Sequence, residues 1–208
     1  MPIGFSIPPG IPTPVEWTED CTAVRLLDQT LLPSEEIYLE LTTVDQMVEA
    51  IRALRVRGAP AIGIAAAHAL ALASRLTWEA AETAGDAGAL ADAFFAARGK
   101  LRAARPTAVN LGWALDRLTG VFEAGAPEGG EVQVADLMAE ADAIAREDRE
   151  MGLRIGEAGL EVIPEAGGGI LTHCNAGALA TGGVGTALAP AYAAHARGIP
   201  VHLYADET

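Results

Sequence analysis

The stretch that decides the fold runs from Ile170 to Thr186 and reads Ile-Leu-Thr-His-Cys-Asn-Ala-Gly-Ala-Leu-Ala-Thr-Gly-Gly-Val-Gly-Thr. Its apolar start predicts a strand over 170–173, and its small residues predict a loop that follows Cys174. A helix is predicted over 186–197 and a second strand over 200–205. This order is typical of a parallel βαβ unit. Because ligands bind at the carboxyl edge of such sheets, the loop is the first candidate for a functional site.

The chain before this unit is predicted to be mainly helical. Thr43 and Gln46 have the spacing of a capping box, which marks the start of a helix. Pro60 suits the first turn of a second helix, which is apolar nearly all round and therefore central. Hydrophobic periodicity predicts helices over 60–75, 87–103, 107–123 and 135–158, and strands over 24–32 and 37–41.

These patterns predict an α/β fold in two parts. A mainly helical N-terminal domain with a small antiparallel β element covers residues 1–130. The first part of a Rossmann-like parallel α/β domain covers residues 131–208. The Gly/Pro-rich, acidic segment 124–131 is the predicted linker between them.

Composition narrows the class of partner. The 208 residues carry a net charge of −14, which argues against a nucleic acid or an anionic membrane surface as the partner. The two cysteines suggest no disulfide framework, and the N-terminus lacks the pattern of a secretion signal, so we expect a cytoplasmic protein. The apolar run 59–73 is short for a membrane span. The four histidines and two cysteines form no zinc pattern, so no metal is predicted.

Two arginines stand at predicted helix starts. In Arg57-Gly58-Ala59-Pro60, the free N–H groups of the helix start favour an anion, and glycine allows a close approach of the backbone. Arg105-Pro106-Thr107 repeats the arrangement. A guanidinium adds a bidentate fork suited to phosphate. Taken singly, each segment is better explained by a solvated arginine at a surface turn, but two such sites in one helical region are more suggestive of a function than either alone.

Three further side chains need an interpretation. The Cys174 thiol at the sheet edge could exchange protons with a ligand, although most cytosolic cysteines are small buried hydrophobes. His68 is interpreted as a core histidine. Asp148 falls on the apolar stripe of its helix. For Asp148 we favour a position at the edge of the stripe over a partly buried acid that orients a loop.

Together these pieces resemble the methylthioribose-1-phosphate isomerases, an initiation-factor-2B-like family of methionine salvage. The segments that match the family, in its order, are Leu27 to Pro33, Val56 to Gly63, Arg105 to Leu111, Thr172 to Thr186 and Tyr204 to Thr208. Their joint occurrence is specific, although no single segment is.

The resemblance implies an aldose–ketose isomerase that converts 5-methylthioribose 1-phosphate to 5-methylthioribulose 1-phosphate. It assigns substrate binding to Arg57, Gly58, Ala59 and Arg105, and a catalytic role to Cys174. It implies no cofactor and no metal, and it suggests a homodimer. The family's catalytic aspartate and other binding residues would lie beyond Thr208, so the chain is expected to be truncated and inactive alone.

Alternatives remain open. A ribose-1,5-bisphosphate isomerase would act on a related sugar with a second phosphate. A regulatory subunit of the translation-initiation guanine-nucleotide exchange factor would share the fold as a non-catalytic binding module. The glycine loop also permits a nucleotide-binding domain, although it does not fit the G-x-G-x-x-G pattern.

Overall fold

A computed structural model describes residues 5–82, 88–125 and 129–206. The elements, in chain order, are β1 (Val15–Trp17), β2 (Val24–Leu27), β3 (Tyr38–Leu41), α1 (Val44–Arg52), α2 (Ala59–Glu82), α3 (Gly88–Arg102), α4 (Val109–Gly125), α5 (Gly130–Gly159), β4 (Gly168–Thr172), α6 (Ala189–Ala196) and β5 (Val201–Ala205). Short 3₁₀ helices follow α5 at Leu160–Val162 and lie in the glycine loop at Ala178–Ala180. The α/β fold class is confirmed.

Helix α2 is the centre of the helical region. Its small side chains, such as Ala61, Ala65 and Ala66, are fully buried and let α3, α4 and α5 approach closely. The helix is long and apolar enough to cross a membrane, but 72% of its most apolar 18-residue window is buried inside the protein. That burial is typical of a core helix.

The N-terminal strands form an antiparallel sheet in the order β1-β2-β3, with Leu26 paired to Leu39. The first strand was not predicted, and β2 ends at Leu27 rather than at residue 32. The reason is Asp28, whose carboxylate accepts a hydrogen bond from the Thr30 N–H at 3.0 Å and turns the chain. The predicted capping box of Thr43 and Gln46 at α1 is confirmed.

Helix α5 joins two apolar clusters. Its first half, including Leu137 and Ile144, packs in the main core with α2 and α4. Its second half contacts a smaller cluster around Phe5, Val184 and Ala189. The helix begins at Gly130, five residues before its predicted start, and residues 126–128 of the predicted linker lie outside the described residues. The domain boundary after residue 130 stays a prediction.

The predicted parallel unit is present. Strands β4 and β5 pair in parallel, with Gly168 opposite Val201 and Thr172 opposite Ala205. Helix α6 begins only at Ala189, with Pro190 in its first turn. The loop is therefore longer than the periodicity indicated, because residues 186–188 form a separate turn rather than the start of the helix.

His68 is a buried core histidine, as predicted. Its Nδ1 lies 2.9 Å from the Ile64 carbonyl, and its ring packs on Trp17 with centroids 4.5 Å apart. Burial lowers the pKa of His68 to about 4. Since an unfolded histidine titrates near 6.5, stability is present above that pH and is lost as the pH falls toward 4.

We expect the free energy of unfolding to fall by about 2 kcal/mol between pH 7 and pH 5 because of His68. Urea unfolding followed by circular dichroism at both pH values measures it. In His68→Leu this part of the pH dependence should disappear, whereas His195→Gln, at an exposed position of α6, should retain it. The same pH dependence in wild type and His68→Leu would contradict the assignment.

Candidate functional site

The first turn of α2 packs directly against the glycine loop. Gly58 has a φ of +91°, and a Cβ built on it would lie 2.4 Å from the Cα of Ala180. Only glycine fits this position, both for its backbone conformation and for the space. Arg57 and Ala59 on either side are exposed. The α2 start therefore presents one arginine and free backbone N–H groups beside the loop.

The segment after β2 ties the same two regions together. The Gln29 side-chain amide donates to the Leu179 carbonyl at 2.7 Å, and its backbone N–H donates to the Arg55 carbonyl at 2.9 Å. Burial would raise the pKa of the neighbouring Asp28, but hydrogen bonds from Thr30 and the Arg55 guanidinium outweigh it and lower that pKa. Asp28 is therefore ionised and holds the side chain of Arg55, which lies two residues before Arg57.

The Arg105 segment, which precedes α4, also lies close to the first turns of α2. Arg105 is half-buried and lines a cavity of about 460 Å³ before the start of α4. Five residues on, at Asn110, α4 crosses α2 closely, since a Cβ on Gly63 would lie 3.0 Å from the Asn110 carbonyl oxygen. This crossing places the Arg105 segment beside the first turns of α2.

Cys174 begins the loop and is exposed. Its φ of +61° lies in the left-handed region, so the chain is not extended there and β4 ends two residues earlier. His173 Nδ1 contacts the Asp206 carboxylate at the end of β5, a pair that the sequence did not reveal.

Two side chains of α5 hold the loop at Gly182. The Asp148 carboxylate accepts from the Gly182 N–H at 2.6 Å, and the Arg149 Nε donates to the Gly182 carbonyl at 3.1 Å. Burial raises the pKa of Asp148, and the Gly182 hydrogen bond opposes the shift. Our preferred interpretation of Asp148 was wrong: it is the partly buried acid that orients the loop.

A second cavity, of about 590 Å³, lies between α2, α4 and α5. We call it the three-helix cavity; its walls include Ile64 of α2, Val109 and Trp113 of α4, and Asp148 and Met151 of α5. It shares Val109 and Trp113 with the cavity that Arg105 lines. Its Ile64 and Asp148 also contact Gly182 of the loop.

The two candidate arginines are available to a ligand. Within residues 5–82, 88–125 and 129–206, neither Arg57 nor Arg105 makes a side-chain hydrogen bond or an ion pair. By contrast, Arg55 binds Asp28 and Glu49, and Arg117 binds Glu140 and Glu147. In the same described ranges, no three His, Cys, Asp or Glu side chains gather as a metal site would require.

The structure thus brings the predicted segments together without joining all the predicted side chains. Gly58 touches the loop that starts at Cys174, and Arg105 lines a neighbouring cavity. No hydrogen bond among the described residues links Cys174 to Arg57 or Arg105. The roles of Cys174, Arg57, Gly58, Ala59 and Arg105 stay predictions.

The Gly58 contact is testable through stability. We expect Gly58→Ala to lower the free energy of unfolding by more than about 2 kcal/mol, from backbone strain plus overlap with Ala180. Gly198→Ala is the matched control, because Gly198 has a φ of +71° but open space around it, and it should lose only about 1 kcal/mol. Equal losses in urea unfolding would contradict a steric role for Ala180.

The hydrogen bond between the Asp148 carboxylate and the Gly182 N–H is tested by a pair of substitutions. We expect Asp148→Ala to cost about 1–3 kcal/mol, because the Gly182 N–H loses its acceptor. Asp148→Asn keeps an acceptor and should cost less.

The free energy of unfolding of the wild type and that of Asp148→Asn should depend differently on pH. Because the pKa of Asp148 is raised above its ordinary 3.8, the wild type should lose stability relative to Asp148→Asn as the pH rises through the raised pKa. Urea unfolding between pH 4 and pH 7 measures the difference. Asp136→Asn, at an exposed position on the same helix, should show no such trend.

The sequence of this chain is similar to those of several curated isomerases. The chain is 53% identical to a methylthioribose-1-phosphate isomerase of Gemmatimonas aurantiaca, over 93% of this chain and 54% of that protein. It is 46% identical to a 5-deoxyribose 1-phosphate isomerase of Petrotoga mobilis, over 94% and 54% of the two chains. The chain therefore spans about half the length of these curated relatives.

Two solved structures share the fold. A 5-methylthioribose 1-phosphate isomerase from Pyrococcus horikoshii matches with a TM-score of 0.87 at 34% identity, over 99% of this chain and 64% of that one. The delta subunit of translation initiation factor eIF-2B from A. fulgidus matches with a TM-score of 0.79 at 34% identity, over 94% and 54%. A family model, described as the initiation factor 2 subunit family, matches residues 55–208. Since that match covers most of the chain, the protein belongs to the initiation factor 2 subunit family.

Proposed function

We propose that this chain forms part of an aldose–ketose isomerase that converts 5-methylthioribose 1-phosphate to 5-methylthioribulose 1-phosphate. Arg57, Gly58, Ala59 and Arg105 bind the substrate, and Cys174 is the catalytic group. We propose further that the natural-length protein is cytoplasmic, forms a homodimer and needs no cofactor.

One observation carries the proposal: the four internal segments that resemble the isomerases meet around the first turns of α2. Gln29 binds the loop at Leu179, Gly58 packs on Ala180, and the Arg105 segment crosses α2 at Gly63. The same helix end offers free N–H groups, to which a phosphate is attracted.

The proposed reaction requires a different contribution from the two arginines and from the thiol. The phosphate on the anomeric oxygen prevents the ring from opening as in a free sugar, so an acid must assist that step. Hydrogen then moves between C2 and C1. Arg57 and Arg105, which are unpaired in the described structure, neutralise the phosphate and fix its position. The exposed Cys174 thiol beside the loop transfers a proton or stabilises the transition state.

The test is an isomerase assay on the gene product at its natural length. We expect 5-methylthioribose 1-phosphate to be converted to the ketose, and Cys174→Ala to lower kcat by about 10²–10⁴-fold. Arg105→Ala should lower kcat/KM by roughly 10–100-fold through loss of charge-assisted hydrogen bonds. Chromatographic detection of the ketose product measures both.

Two control variants and two substrates make the result decisive. Cys21→Ser changes the other cysteine, which lies in the N-terminal turn, and Arg146→Ala changes an exposed arginine on α5; both should keep wild-type rates. Conversion of ribose 1,5-bisphosphate but not of the methylthio sugar contradicts the proposal. No conversion of either sugar, with tight binding to a translation factor, favours a regulatory subunit. The 208-residue chain assayed alone is expected to be inactive.

A further inference from the structure

The glycine loop is fixed to α5 at one residue, Gly182, by both of its backbone polar groups. The Asp148 carboxylate accepts from the Gly182 N–H at 2.6 Å, and the Arg149 Nε donates to the Gly182 carbonyl at 3.1 Å. Gly182 also lies so close to α5 that a Cβ on it would be 2.9 Å from the Ala145 carbonyl oxygen. Two hydrogen bonds and one close backbone contact therefore define the position of this residue on the helix.

Asp148 serves this contact alone in the described part of the chain. Its carboxylate forms no ion pair there, and its one hydrogen-bond donor is the Gly182 N–H. Because burial of a carboxylate without a cation costs free energy, a neutral acceptor such as asparagine would hold the same N–H at a lower cost. An ionised acceptor, however, forms the stronger hydrogen bond. The acid therefore favours a firm hold on the loop.

Contacts within the loop connect Gly182 to Gly177. Thr181, which precedes Gly182, donates its hydroxyl to the Gly177 carbonyl at 3.1 Å and accepts from the Gly183 N–H at 3.3 Å. Gly185 packs on the same residue, since a Cβ on Gly185 would lie 2.4 Å from the Gly177 carbonyl oxygen. Gly177 is therefore enclosed by residues on either side of the fixed Gly182, and these contacts form a contiguous path along which a displacement can travel.

Cys174 lies between this path and the sheet. It stands three residues before Gly177, and both residues have a positive φ, +61° for Cys174 and +85° for Gly177. A side-chain-bearing residue keeps such a conformation only where its surroundings hold it. On its other side β4 ends at Thr172, which is paired with Ala205 of β5. The backbone of Cys174 is therefore held from both directions, by the sheet and by the enclosed Gly177.

We propose that Asp148 is a positioning residue of the proposed isomerase, which acts through the glycine loop to place the Cys174 thiol for the reaction. This inference rests on the proposed function and adds a residue to it. Arg57 and Arg105, the proposed substrate-binding arginines, lie at the start of α2 and before α4, outside the loop. Loss of Asp148 should therefore impair the step in which the thiol acts more than it impairs substrate binding.

The first test measures kcat and KM of the natural-length protein for 5-methylthioribose 1-phosphate, per folded protein as determined by circular dichroism. We expect Asp148→Ala to lower kcat by roughly 10–100-fold and to change KM less than about threefold. Asp148→Asn keeps an acceptor and should recover most of the lost kcat. Gly185→Ala disturbs Gly177 without removing the Asp148 hydrogen bond and should also lower kcat. Asp136→Asn, at an exposed position of α5, should keep the wild-type values.

The second test follows the thiol without any substrate. Iodoacetamide alkylation, read by peptide mass spectrometry, gives the rate at Cys174 and, in the same sample, at Cys21 of the N-terminal turn. We expect Asp148→Ala to change the rate at Cys174 by at least about threefold and to leave that at Cys21 unchanged. General unfolding would alter both cysteines, so an equal change at the two overturns the inference, as does an unchanged rate at Cys174.

The two measurements separate Asp148 from the function on which its role depends. A wild type that isomerises the sugar, with an Asp148→Ala variant that loses KM and keeps kcat, overturns the positioning role and leaves the isomerase standing. A wild type without isomerase activity overturns the proposed function and the kinetic role together, and the alkylation rates then still decide whether Asp148 positions Cys174. Asp148→Asn and Gly185→Ala keep both tests usable if Asp148→Ala fails to fold.

Discussion

Helix α2 is buried nearly all round, and this constraint organises the rest of the molecule. Its Ala61, Ala65 and Leu70 are fully enclosed by other helices, so no ligand can reach its middle. Backbone N–H groups without helical partners are found only at its N-terminal end. The N-terminal end is where the glycine loop, the Gln29 segment and the start of α4 converge. The candidate site is thus a consequence of how α2 is packed.

The regular elements were predictable because local signals agree with tertiary packing. The capping box at Thr43, the apolar helix after Pro60 and the parallel pair β4–β5 all follow from spacing alone. Boundaries failed where one side chain or a short turn overrides periodicity. Asp28 turns the chain after β2, and a turn at residues 186–188 delays α6 until Ala189. Such effects depend on hydrogen bonds and turns that a hydrophobic pattern does not encode.

The candidate site likewise contains some residues that the sequence pointed to and one that it did not. The segments around Arg57, Arg105 and Cys174 could be found from sequence, because helix starts and strand ends are where anions and ligands bind. The role of Asp148 could not, because its partner is a backbone N–H 34 residues away. A polar residue on an apolar stripe is the one available signal. It does not distinguish an edge position from a buried anchor until the loop is placed.

Electrostatics bear on how an acidic protein can bind the phosphate that we propose as part of its ligand. With a net charge of −14, the overall field repels a phosphate, so attraction must be local. Two carboxylates near the α2 start are paired with arginines: Asp28 with Arg55, and Glu147 with Arg117. Arg57 and Arg105 are left without carboxylate partners in the described structure. Each carboxylate that is paired elsewhere removes a competitor for these two guanidinium groups, so the ion pairs around the candidate site support the phosphate binding that we propose for Arg57 and Arg105.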